Sequence, residues 1–166
     1  MSTTRAGRVV PLALVAALVA AAWAPSAQSG EPARPLTARE WVSLRAMNRF
    51  ATYAEVCKPQ MPGMDGAWDR ALAGISTTID RLTDQQLATP RFAGLGKASV
   101  PAAGYDSLLR RVDKARGELK KRLASQDPYD NCPRFLRNAQ GFGDDDLRPI
   151  VIDALAGFRA LLKSTG

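Results

Sequence analysis

Between Thr37 and the end of the chain, apolar residues recur at helical spacing in four separate stretches. The first runs Trp41, Leu44, Met47, Ala51, Ala54, Cys57, all on one face at 3.6 residues per turn. Its start is marked by Thr37 and Glu40, the spacing of a capping box, with Leu36 and Trp41 at the positions of a hydrophobic staple. Pro59 and then Pro62-Gly63 end it. The second opens at Asp65, an N-cap residue type, and carries Trp68, Leu72, Ile75, Ile79 and Leu82. Thr83 to Gln86 start one further short turn carrying Leu87.

The third stretch runs from about Tyr105 to Ala124, with Leu108, Val112, Ala115, Leu119 and Leu123 inward. The fourth follows Asp144-Asp145-Asp146 and presents Leu147, Ile150, Val151, Ala154, Leu155, Phe158, Leu161 and Leu162. Between them, Asp127-Pro128 and Asp130-Asn131 read as turns. Cys132-Pro133 begins a short helix through Phe135 and Leu136 that stops at Gly141. Residues 88–104 are rich in Gly, Pro, Ala and Ser and read as a long loop, the kind that is often mobile or functional. No segment alternates as a half-buried strand would. The pattern therefore predicts an all-α fold: a small bundle of four principal helices plus short helical turns.

Before this domain the pattern changes. Arg5 and Arg8 precede an apolar run from Val9 to Trp23, and small residues follow through Gly30, the three parts of a secretory signal. The run falls short of the roughly 20 apolar residues of a spanning helix, so the expectation is cleavage, after Ser29, and no stable membrane span in the mature chain. Residues 1–29 are then a signal peptide, 30–36 a linker with two prolines, and 37–166 a single helical domain. Losing two arginines and no acid lowers the net charge from +7 to +5.

Export changes the meaning of the two cysteines. In an oxidising compartment Cys57 and Cys132 are expected to pair, and neither a C-x-x-C pair nor a haem-attachment motif is present. The expected bridge is structural, because a cysteine on an apolar helical face is buried and inert, although Lys58 and Arg134 offer the positive charge a redox thiolate needs.

The chain contains no histidine, which removes Ser-His-Asp, Cys-His and His-zinc chemistry. Gly94-Leu95-Gly96-Lys97 lacks the spacing of a phosphate loop. An enzyme would have to work with carboxylates such as Glu55, Asp65 or Asp144, and this reading ranks last. The triplet Asp144–Asp146 lacks the spaced ligands of a calcium loop and reads as a helix N-terminus. Met61 and Met64, close to Cys57, are weak candidates for holding Cu(I) through soft thioethers; the plainer reading is that they fill an irregular corner. No cofactor is expected.

The basic side of the third helix, with Arg110, Arg111, Lys114 and Lys121, is the candidate binding surface. Without a companion series of stacking aromatics it does not suggest nucleic acid. The expected function is that of an exported, non-enzymatic helical module, periplasmic or secreted, that binds a protein or cell-envelope component as an inhibitor, immunity protein or adaptor. The alternative is a periplasmic carrier of a small ligand or copper.

Overall fold

The computed structural model describes residues 35–165. The expected signal peptide and the start of the expected linker lie outside the described residues. Among the described residues there are five α-helices: α1 (Ala38–Cys57), α2 (Asp65–Leu87), α3 (Ala102–Ala124), α4 (Pro128–Gly141) and α5 (Asp144–Thr165). They pack into a helical bundle, and the Cys57–Cys132 disulfide links α1 to α4.

Helix α1 starts where its local chemistry places it. The Thr37 hydroxyl accepts from the Glu40 amide at 3.3 Å, and the Glu40 carboxylate accepts from the Thr37 amide at 2.9 Å, so both halves of the capping box form. The other four helices all pack against α1. It accordingly buries more than the single face its spacing predicts: Val42, Ala46, Phe50 and Thr52 join Trp41, Met47, Ala54 and Cys57 in the interior. Thr52 is tolerated there because its hydroxyl donates to the Asn48 carbonyl at 2.6 Å. Trp41 ties α1 to α5 by donating its indole N–H to the Ala154 carbonyl at 2.9 Å.

Helix α2 runs without a break through Leu87, so the extra turn expected after Thr83 is simply its last turn. Thr83, fully inside, satisfies its hydroxyl on the Ile79 carbonyl. Asp65 lies in the first turn rather than at the cap, and Met64 holds the cap position without a side-chain bond. Among the α5 residues expected inside, Leu147, Val151, Ala154, Leu155, Phe158 and Leu161 are buried and Ile150 and Leu162 half-buried.

Three expectations need correction. First, α4 is a full helix that begins at Pro128, which makes five principal helices instead of four. Asp127-Pro128 is the start of that helix, its Asp127 carbonyl accepting the first helical bond from the Asn131 amide at 3.2 Å. Proline suits a first helical position because the amide it lacks has no partner there. Pro133 consequently sits inside the helix instead of opening it.

Second, the segment 88–104 is more structured than the long loop expected, although most of its residues up to Pro101 are exposed. It contains a 3-10 turn, Ala93–Lys97, and a two-residue strand β2 (Ser99–Val100) that pairs antiparallel with β1 (Leu36–Thr37), Leu36 facing Val100. Phe92, Leu95 and Val100 are core residues, with Phe92 only 1% exposed. A strand of two residues is too short for period-two alternation to show, and apolar anchors scattered among glycines carry no period at all. Third, α3 starts at Ala102 and packs mainly on α1, leaving Ala115 exposed and Leu108, Val112 and Leu119 only half-buried.

Candidate functional site

The disulfide organises one side of the bundle. Cys57 is the last residue of α1 and Cys132 lies one turn into α4; their Cα atoms are 5.4 Å apart and both side chains are buried. From this pin the two helices run alongside one another in opposite chain directions, which sets what faces what. Tyr53, four residues before Cys57, meets Phe135, three after Cys132, with ring centroids 4.5 Å apart. Phe50, seven before Cys57, meets Phe142, ten after Cys132, edge to face at 5.4 Å. Trp68 of α2 and Ile150 of α5 complete the wall.

These side chains enclose a cavity of about 210 Å³, which Arg49, Asn138 and Ala139 also line. Arg49 stands on its rim. Its Nε donates to the Tyr53 hydroxyl at 3.1 Å, and its guanidinium lies over the Tyr53 ring at 5.6 Å. A second guanidinium, Arg134, lies over the Phe135 ring at 5.7 Å. Neither Arg49 nor Arg134 has a carboxylate partner among the described residues. Trp68 is 1% exposed, and its indole N–H is buried and meets no hydrogen-bond acceptor among the described residues. A second, more open hollow of about 310 Å³ lies beside the first, between α2 and the end of α4, and shares Ala139 and Phe142 with it.

The residues singled out from sequence are distributed differently. Cys57 and Cys132 come together in the bridge. Arg110, Arg111, Lys114 and Lys121 are all exposed on α3. At 3.6 residues per turn they share, with Arg122, a sector of roughly 120° that points away from α1. The only carboxylate in that sector, Glu118, stands 4.0 Å from Lys114. The remaining cations of α3 serve the fold: Arg116 and Lys120 both bond the Glu55 carboxylate of α1. Burial pushes the Glu55 carboxyl up, but the hydrogen bonds from Lys120 and Arg116 outweigh this and hold it below its ordinary range. Glu55 is therefore an ionised clamp between two helices.

Asp144 is held in the same way by Arg81 of α2, whose guanidinium makes two bonds to it and lowers its carboxyl below the usual range. Asp146 accepts from the Gly143 amide at 3.0 Å, the capping role expected of the triplet. Asp65 is exposed at the start of α2. The described residues contain no group of three Cys, Asp or Glu placed to hold a metal. Met61 is half-buried against the core, Met64 is 39% exposed, and the Cys57 sulfur is committed to the bridge, which leaves that corner two thioethers.

The cavity residues Arg49, Tyr53, Phe135, Asn138 and Phe142 escape a reading by stripes. Their signal in the sequence is indirect: Arg49 and Tyr53 sit one turn apart, and Phe135 and Ala139 follow Cys132 at helical spacing. Among the described residues, no helix is long and apolar enough to cross a membrane. No family model matches this chain, and no curated protein or solved structure is similar to it.

Proposed function

We propose that the chain is an exported, non-enzymatic binding module of the periplasm or extracellular space, and that it engages a protein or cell-envelope component of negative charge through the outer face of α3. The observation that carries this reading is the division of labour among the α3 cations. Arg116 and Lys120 are spent on Glu55, whereas Arg110, Arg111, Lys121 and Arg122 have no acidic partner among the described residues. Uncompensated like charge on one face repels itself, and an acidic partner relieves that repulsion. The absence of histidine from the sequence, and the engagement of Glu55 and Asp144 in ion pairs, support a binding role over a catalytic one.

The test is retention of envelope components on the immobilised, disulfide-bonded domain at low and at high salt. Reversing Arg110, Arg111 and Lys121 to Glu should abolish salt-sensitive retention of a defined component. A control reversing Arg70, Arg137 and Lys163, three exposed cations elsewhere, has the same net charge and should leave retention intact. Equal loss in both variants would reduce the interaction to net charge and reject the α3 face.

A further inference from the structure

We infer that the cavity pinned open by the Cys57–Cys132 bridge is a binding site for a small carboxylate with a single aromatic ring. The proposal concerns a different surface from the outer face of α3 and stands independently of it.

The walls set the body of the ligand. Phe50, Trp68, Phe135, Phe142 and Ile150 offer ring faces and edges and an aliphatic branch, supplied by α1, α2, α4, the connection after it and α5. A dry apolar cavity of about 150 Å³ is enough to take up benzene. At about 210 Å³, this one has room for a ring and a short substituent. Aromatic walls whose rings already meet at 4.5 and 5.4 Å favour another ring in offset or edge contact.

The polar groups set the head. Every one of them can donate, and no carboxylate of the described residues lines the cavity. The Arg49 guanidinium stands at the rim without an acidic partner among the described residues. It is steadied by the Tyr53 ring and hydroxyl, so little side-chain freedom remains to be lost on binding. The Tyr53 hydroxyl already accepts from Arg49 and keeps its own proton to donate. Asn138 adds an amide. The Trp68 ring forms part of the wall, whereas its N–H is buried without accessible surface and meets no acceptor among the described residues, so it is the ring and not the N–H that a ligand would touch. By contrast, Trp41, equally buried, has its acceptor on Ala154. An arginine, a tyrosine hydroxyl and an amide at an apolar hollow suit a ligand that brings acceptors and negative charge, and a carboxylate brings both.

Phenylacetate is a suitable probe, with acetate and phenylacetamide as its ring-less and uncharged counterparts. Titration of the oxidised chain by calorimetry, with amide and indole chemical shifts followed in parallel, should give saturable binding of phenylacetate. A Kd on the order of 0.1–1 mM suits a ligand of about ten non-hydrogen atoms. The Trp68 indole resonance should move and that of Trp41 should not; acetate should leave both unchanged. Arg49→Gln, at an exposed position, should weaken phenylacetate about fivefold or more and leave phenylacetamide unaltered. Ala139→Leu, which fills the cavity, should abolish binding of both aromatic probes with the helical spectrum intact. The variant with α3 reversed in charge should bind phenylacetate like the parent, so that failure of either proposal is read separately. Absence of saturable binding at 20 mM phenylacetate would overturn the assignment. Equal affinity for acid and amide, or an unchanged affinity in Arg49→Gln, would equally overturn it.

Discussion

Removing the Cys57–Cys132 bridge is the most informative perturbation of this fold. The bridge spans 75 residues and joins the end of α1 to the start of α4, so in the unfolded chain it closes off α2, the 88–104 segment and α3. Loop-closure entropy for that interval corresponds to about 4.5 kcal/mol at 25 °C. A domain of roughly 130 residues unfolds with about 0.27 kcal/mol/K of entropy near its midpoint, so the loss translates to a fall in Tm of about 17 °C. Both cysteines are buried, at 1% and 2% exposure, so a double Cys→Ala variant also loses sulfur packing in the core and should fall a little further than the reduced protein. The assay is thermal unfolding by circular dichroism of oxidised, reduced and double-substituted protein, preceded by titration of thiols. No thiols should titrate in the native oxidised chain. A Tm for the reduced protein within about 3 °C of the oxidised form would refute the chain-entropy argument, because no compensation of that size is visible in the native contacts.

Other perturbations follow from single contacts. Trp41→Phe removes the buried bond to the Ala154 carbonyl and part of an indole, and should cost about 1–3 kcal/mol in denaturant unfolding. Gly74→Ala, inside α2 with nothing within 4 Å of the added carbon, should raise stability by about 0.5–1 kcal/mol. Gly63→Ala should lower it by about 1–2 kcal/mol, since Gly63 has a φ of +82° in the turn before α2. Glu55 has a folded-state pKa below its unfolded one, so the stability it confers is fully present above the ordinary carboxylate value and is lost as pH falls through the lowered one. Stability profiles of parent and Glu55→Gln should therefore converge on acidification, and a constant gap down to pH 2 would contradict the clamp between α1 and α3.

Where packing is one-sided, the chain announces its structure. Helices α2 and α5 bury one face each, and Ile75, Ile79, Leu82, Val151, Leu155 and Phe158 stand where their spacing places them. Helix α1 is harder to read because neighbours on several sides bury Val42, Ala46 and Phe50 as well, which blurs the periodic signal. The 88–104 segment is harder still. Phe92, Leu95 and Val100 are held by the tertiary fold, Phe92 lying beneath the guanidiniums of Arg91 and Arg159 at 5.0 Å each, and composition alone describes only the glycines and prolines between them. Helix α4 was hidden by an ambiguity of local chemistry: Asp-Pro is both a turn dipeptide and a cap followed by a first helical proline.

The cavity illustrates a different kind of illegibility. Its residues look ordinary one at a time: Phe50 and Ala139 are core residues, Arg49 is an exposed cation, and Asn138 is a surface amide. They become a site only through the register between α1 and α4, which no spacing within either helix encodes. That register has one covalent determinant. With Cys57 at the end of α1 and Cys132 near the beginning of α4, a bridge forces counting backward along one helix and forward along the other, and Tyr53 then meets Phe135. The pairing of the two cysteines is legible from sequence and compartment, whereas its consequence for the facing side chains needs the helix boundaries. Misplacing the start of α4 at Cys132 shifts that residue from the interior of a turn to its edge and removes the partner surface. The same logic makes the bridge a lever on the cavity: in the reduced protein the aromatic pairs lose their pin, and affinity for an aromatic carboxylate should fall even at temperatures where the helices persist.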